Sequence, residues 1–292
     1  MDFTVLAECG AAFWLVMDSN DLFKALSHVL RHGAPWPGRI RIYKASLQRM
    51  METMSISYRW QPNSVTLDEK GTNINMSTWQ LQTVLDALAH STCRYVWVDK
   101  VAVPQTDGPL QHTLLSRMMA VYAASGCTLV MRSRELEGSR YHQRGWTVQE
   151  FCGSSRTALA TEPVEEPIEP VIRISTFRMA VGTPRDFEAS AMEEEQYFVE
   201  LRQWHLGRTG LCRPFWLQHD ISVDVAYALG MFDELRGRVH TQFEADKVRA
   251  LLLMLMNTPV ETQEELLQMI SKVESKSGRS MQTEIACLEG GQ

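Results

Sequence analysis

The sequence predicts an α/β fold, a parallel sheet with flanking helices followed by a mainly helical C-terminal region, and three observations carry that prediction. Short β-branched and aromatic runs recur between Met54 and Met131. Amphipathic segments of about 10–15 residues separate them, the spacing of strands joined by crossover helices. Beyond residue 170 the apolar spacing is almost wholly helical.

The elements follow in order. Residues 1–38 read as a helical extension: Asp18-Ser-Asn-Asp21 starts a helix with Leu22, Phe23, Leu26, Val29 and Leu30 at 3–4 spacing, and the segment from Gly33 to Gly38 breaks it. Residues 39–43 alternate as an edge strand. Residues 55–58 form a short strand ending at Arg59-Trp60-Gln61-Pro62. Ser77 opens a helix carrying Trp79, Leu81, Val84, Leu85 and Leu88. Residues 94–99 are a buried strand, residues 110–124 a single helix closed by Gly126, residues 127–131 the next strand, and Gly145 starts another helix. Strands alternating with helices imply parallel pairing through right-handed crossovers, with a ligand crevice at the carboxyl ends of the strands. Arg59-Trp60, Asp99-Lys100 and the stretch after Met131 are therefore expected on one rim. The α/β domain is placed at residues 39–160, an acidic proline-rich linker at 161–170, and the helical region at 171–276 with helices near 187–206, 223–236, 243–257 and 261–275. Residues 277–292 hold few large apolar side chains and are expected to be a disordered tail.

Composition bounds the function. At 292 residues and 45% apolar content the chain can bury a core without disulfide or metal staples. The charge is −6, from 29 basic and 35 acidic residues, which argues against nucleic-acid binding through a general positive field. The six cysteines lie far apart with no C-x-x-C pair, against a zinc knuckle or a secreted disulfide framework. No basic leader precedes Glu8, and no apolar run approaches the ~20 residues of a membrane span, so no membrane partner and a cytoplasmic location are expected. The phosphate-binding glycine loops and the G-x-S-x-G elbow are absent. His28 and His32 share a helix face but lack a third ligand, and no metal site is assigned.

Four segments in order carry a family resemblance. Ile56-Ser-Tyr-Arg-Trp60, Tyr95-Val-Trp-Val-Asp99 with Val101-Ala-Val-Pro-Gln105, the helix with Arg117-Met118 and Val121-Tyr122-Ala123, and Arg144-Gly-Trp-Thr-Val-Gln-Glu150 resemble fungal heterokaryon-incompatibility (HET) domains. The likeness covers residues 54–155. It departs where Gln61-Pro62 follows Trp60 in place of a glycine, and where Ala102 replaces a cysteine. HET domains are in turn similar to Toll/interleukin-receptor (TIR) domains, which implies a flavodoxin-like sheet. Many TIR domains cleave NAD at the nicotinamide–ribose bond with a glutamate in a W-x-x-x-E stretch. The resemblance places that catalytic carboxylate at Glu150, in Trp146-Thr-Val-Gln-Glu150.

Cleaving an N-glycosidic bond develops oxocarbenium character on the ribose, which a fixed carboxylate stabilises. Trp60 or Trp146 would stack on a base or nicotinamide ring, Arg59 or Lys100 would meet a phosphate, and Asp99 borders the crevice. NAD is thus a substrate candidate, with no prosthetic group implied. Simpler roles stand beside each of these. Thr147 and Glu150 have capping-box spacing, the tryptophans fit a core, Asp99 can cap a turn, and Arg59 can pair with a carboxylate. Three functions remain open: an NAD-cleaving signalling or defence enzyme, a non-enzymatic module of the same fold that self-associates or docks an unidentified protein partner, and a degenerate nucleotide-binding protein that senses NAD without cleaving it.

Overall fold

The structure, a computed structural model, describes residues 14–106, 108–133, 141, 144–154, 156–162, 178–181, 225–241, 244–256 and 263–289. The expected linker beyond residue 162 and the expected helix at 187–206 lie outside them. The chain divides into two compact units, one of residues 1–106, 124–141 and 156–181, the other of residues 107–123, 142–155 and 182–292.

Among the described residues the first unit holds nine strands: β1 Trp14–Asp18, β2 Ile42–Ala45, β3 Thr53–Tyr58, β4 Val65–Thr66, β5 Asn73–Ile74, β6 Tyr95–Trp97, β7 Cys127–Arg132, β8 Arg156–Thr161 and β9 Arg178–Val181. Seven form one sheet in the order β2-β1-β6-β3-β7-β8-β9, and β4 and β5 pair separately. The central strands β6, β3, β7 and β8 are parallel, while β1, β2 and β9 pair antiparallel at the edges. In chain order the parallel strands run 2-1-3-4, the doubly wound arrangement whose switch point lies beside its first strand, here β3. All six residues of β3 are buried, as a central parallel strand requires. Met54, Ile56 and Tyr58 point into the main apolar core with Val96, Leu129 and Met131. Helices α1 (Ser19–His32) and α3 (Thr78–His90) add Leu22, Leu26, Leu81 and Val84 to the same core, α2 being the short turn Leu47–Met50. The alternate residues are polar, and Ser55 Oγ lies 2.8 Å from Thr128 Oγ1 while Ser57 Oγ bonds the Tyr141 hydroxyl.

Asp18 caps α1, accepting from the amides of Asn20 and Asp21, and Gly33 closes it, as expected. The expected helical extension over residues 1–38 also contains β1. Its apolar run Trp14-Leu-Val-Met17 lacks alternation, so pattern alone does not separate a buried strand from a helix. Strand β8, of small and polar residues, and the β4–β5 hairpin likewise left no sequence signal strong enough to read.

In the second unit the described residues are mainly helical. It holds α5 (Pro109–Ser116), α6 (Met118–Ala124, its last residue counted with the first unit), α7 (Gly145–Gly153), α8 (Val225–Arg238), α9 (Glu244–Lys247), a π-turn at Val248–Leu252, α10 (Leu253–Met256), α11 (Gln263–Ser277) and α12 (Gln282–Glu289); α4 (Asp99–Ala102) belongs to the first unit. Phe151, Phe232, Leu235, Leu251, Leu266 and Ile270 are buried in it. The single helix expected at 110–124 is two, parted at the buried Arg117, whose amide reaches the carbonyls of Leu114 and Leu115. Within the tail expected to be disordered, residues 282–289 instead form α12. Met281 and Leu288 are buried, and Glu284 takes an ion pair of 2.9 Å from Arg236. A few well-spaced apolar groups and one buried carboxylate suffice, which composition alone understates. No helix among the described residues is long and apolar enough to cross a membrane.

Candidate functional site

The rim expected from the strand pattern forms within the first unit, at the carboxyl ends of β6, β3 and β7. Trp60 follows β3 and donates its indole Nε1–H to Asp99 Oδ2 at 2.8 Å. Asp99 opens α4 directly after β6, and its Oδ1 accepts the Lys100 amide at 2.6 Å. Lys100 Nζ lies 4.5 Å from the centre of the Trp60 ring. The indole therefore meets a carboxylate at its polar edge and an ammonium over its face, each where the ring's charge distribution favours it. Trp60 is half-buried, its remaining surface packed against the core. Of the candidates Arg59, Trp60, Asp99 and Lys100, the last three touch one another.

Gln80 joins the third strand to this group. It is the third residue of α3, is 0% exposed, and forms a reciprocal capping box with Ser77. Its Oε1 accepts from the Ser77 amide at 2.8 Å, and its Nε2 donates to the Arg59 carbonyl at 3.1 Å and to Ser133 Oγ at 2.7 Å. One side chain thus ties the exit of β3 to the exit of β7. The Gln61-Pro62 loop is held by a second clasp: the Gln61 amide donates to the Asn75 carbonyl at 3.0 Å, and Asn75 Nδ2 returns to the Gln61 carbonyl at 3.1 Å. Asn75 Oδ1 is buried and takes no hydrogen bond among the described residues. Gln80 and Ser133 were missed in the sequence. The Ser77-x-x-Gln80 spacing is a capping box and was the available signal.

Trp146 and Glu150 lie in the second unit, on α7. Glu150 is 4% exposed. Burial pushes the Asp246 carboxyl above its ordinary range, against the lowering influence of Trp146 and of Arg249, 3.5 Å away. The capping box expected from Thr147 does not form. The helix starts three residues earlier than that reading requires, with Arg144 at the cap position, so Thr147 falls in the first turn and its hydroxyl donates back to the Arg144 carbonyl at 3.0 Å. Trp97 and Cys152 are core residues. His28 and His32 stack with ring centres 4.5 Å apart, and no group of three or more metal-ligating side chains occurs among the described residues.

Comparison with known proteins fits this fold. Residues 54–140 match the family model described as heterokaryon incompatibility protein (HET). The matched stretch runs from β3 through β7 and contains the whole Trp60–Asp99–Lys100 group; it ends just before Arg144. No curated protein and no solved structure matches the chain. The segment is thus of HET type, and the match supports a role of the incompatibility or defence kind.

Proposed function

We infer that the protein is a signalling component of an incompatibility or defence response, and that its HET-type segment binds a nucleotide, with NAD as the candidate, on the carboxyl rim of β6, β3 and β7. The Trp60–Asp99–Lys100 group carries this reading. An aromatic face, a fixed carboxylate and a half-buried ammonium converge at the switch point of a doubly wound sheet, where such folds place ligands. A ring stacking on Trp60 would displace the Lys100 ammonium toward a phosphate, and Asp99 would orient a ribose hydroxyl. Arg59, at the same strand exit, is the second phosphate candidate.

Cleavage of NAD is the reaction that the resemblance to TIR domains adds. Water attacks the anomeric carbon, the nicotinamide–ribose bond breaks with its electron pair leaving on nicotinamide, and ADP-ribose and a proton complete the balance. Glu150 enters as the stabilising carboxylate through that resemblance, with Trp146 as a ring platform. The docking reading has its own support: Glu150 is almost fully buried, as a packing residue would be.

Calorimetric titration of the full chain with NAD separates the two. The nucleotide reading expects saturable binding, weakened at least about tenfold, or about 1.4 kcal/mol, by Trp60→Ala and by Lys100→Ala. Absence of binding to the wild type, together with concentration-dependent self-association in light scattering, would favour the docking module instead.

A further inference from the structure

Asn75 adjoins both elements that build the Trp60–Asp99–Lys100 group, and it carries an acceptor that they leave unused. It follows β5, and α4, which opens with Asp99 and Lys100, packs against that strand. It also holds Gln61, the residue after Trp60: the Gln61 amide donates to the Asn75 carbonyl at 3.0 Å, and Asn75 Nδ2 donates to the Gln61 carbonyl at 3.1 Å. Asn75 is part-exposed, yet its Oδ1 is buried and meets no hydrogen-bond donor among the described residues. Neighbouring donors are engaged elsewhere. Gln61 Nε2 goes to the Arg59 carbonyl at 3.3 Å, the Trp60 indole to Asp99, and Gln80 Nε2 to Arg59 and Ser133. A buried acceptor left unpaired costs free energy that a ligand N–H would return. The bond from Nδ2 to Gln61 fixes which end of the amide is free. The torsion that aims an asparagine amide is broad, so a modest turn presents Oδ1 to a ligand.

We propose that Asn75 is a specificity-determining residue of the rim, and that its Oδ1 accepts an N–H from the amino or carboxamide group of the planar heterocycle stacked on Trp60. This deepens the nucleotide reading and rests on it for the site. Trp60 offers a face to any aromatic ring and Lys100 an ammonium to any anion, so neither tells one nucleotide from another. An acceptor does. A site built to pair a ligand N–H rejects the analogue that lacks it, because its own buried group then stays unpaired. A keto oxygen at that place would set acceptor against acceptor. The ligand class is thereby narrowed to nucleotides whose ring carries an amino or carboxamide group. NAD offers both, the amine on adenine and the carboxamide on nicotinamide.

The test titrates the full chain with NAD and with two analogues, one carrying hypoxanthine in place of adenine and one carrying acetylpyridine in place of nicotinamide. Each analogue lacks one of the two N–H groups and keeps the charge and the rings. The wild type should bind one of them at least about tenfold more weakly than NAD. The Asn75 side-chain amide resonance, assigned with Asn75→Asp, should shift with NAD and not with that analogue. Asn75→Ala should bind that analogue and NAD alike. Asn75→Asp keeps an acceptor, loses the bond to Gln61, and should keep the preference. Equal affinity of the wild type for all three ligands overturns the proposal, as does a preference that survives in Asn75→Ala. Weakening that is the same for every ligand in both variants would leave Asn75 only a loop-holding role and also overturns it. If Asn75→Ala does not fold, the wild-type affinities and the amide resonance decide. Where the wild type binds no dinucleotide, the NAD reading fails on its own. Adenosine against inosine, and nicotinamide against acetylpyridine, then decide the acceptor. A shift of the Asn75 amide by the amino or carboxamide member alone sustains it, and no shift, or the same shift with both members, overturns it.

Discussion

Replacing Gln80 by alanine should cost far more than its place in a capping box implies. A capping partner contributes about 1 kcal/mol. Gln80, however, makes three side-chain hydrogen bonds at full burial: one from the Ser77 amide and two to the Arg59 carbonyl and Ser133 Oγ. At about 1 kcal/mol net for each, Gln80→Ala loses about 3 kcal/mol. Ser133 is itself buried and the shortened side chain leaves a void, which raises the figure to about 3–4 kcal/mol. Ser77→Ala removes only the 3.2 Å bond to the Gln80 amide and should cost about 1 kcal/mol. Urea unfolding read by hydrogen exchange over β3 and α3 measures both without assuming that the two units unfold together. A clear excess for Gln80→Ala confirms the clasp between β3 and β7. Equal costs within about 0.5 kcal/mol would refute it and reduce Gln80 to a cap.

Three further outcomes follow from the packing. Arg249→Ala leaves Asp246 buried without its cation and should destabilise the helical unit by about 3–5 kcal/mol at neutral pH. Burial already raises Asp246 above its ordinary 3.8, so the native state holds that proton longer than the unfolded chain and stability falls as pH rises through the interval above 3.8. The variant steepens that fall, and thermal melts across the acid range should show its deficit shrinking toward low pH. Gly126→Ala places a Cβ 2.1 Å from the Met51 carbonyl oxygen, a backbone clash that should cost at least about 1–3 kcal/mol and lower the first unit's melting temperature. Met281→Ala in the C-terminal helical segment should cost about 2–5 kcal/mol in a denaturant titration; a disordered tail would show no change.

The parallel strands and their rim were legible because both rest on local signals. Buried strands are continuous apolar runs or tight alternations, and the ligand end follows from topology once pairing is parallel. Trp60, Asp99 and Lys100 could thus be placed together from sequence, and their contacts follow. Strand β1 was not legible, because Trp14-Leu-Val-Met17 fits either structure until its pairing with β2 and β6 is known. Gln80 was hidden by its chemistry: a polar residue in the first helical turn reads as a surface cap, and nothing local reveals the carbonyl and hydroxyl it meets from other strands. The pairing of Gly145 with His240 was hidden by distance, since the two lie far apart in the chain. Helix α12 escaped because the burial of Glu284 depends on Arg236, contributed by α8.

Nicotinamide release from NAD by the concentrated 292-residue chain tests the functional account most directly, with Glu150→Gln as its partner. Glutamine keeps the size and hydrogen-bonding capacity of the side chain and removes its charge. The account predicts release by the wild type and loss of release in the variant, with hydrogen exchange over α7 unchanged. Equal release by both proteins, or none from folded wild type even when clustered on a scaffold, would contradict it.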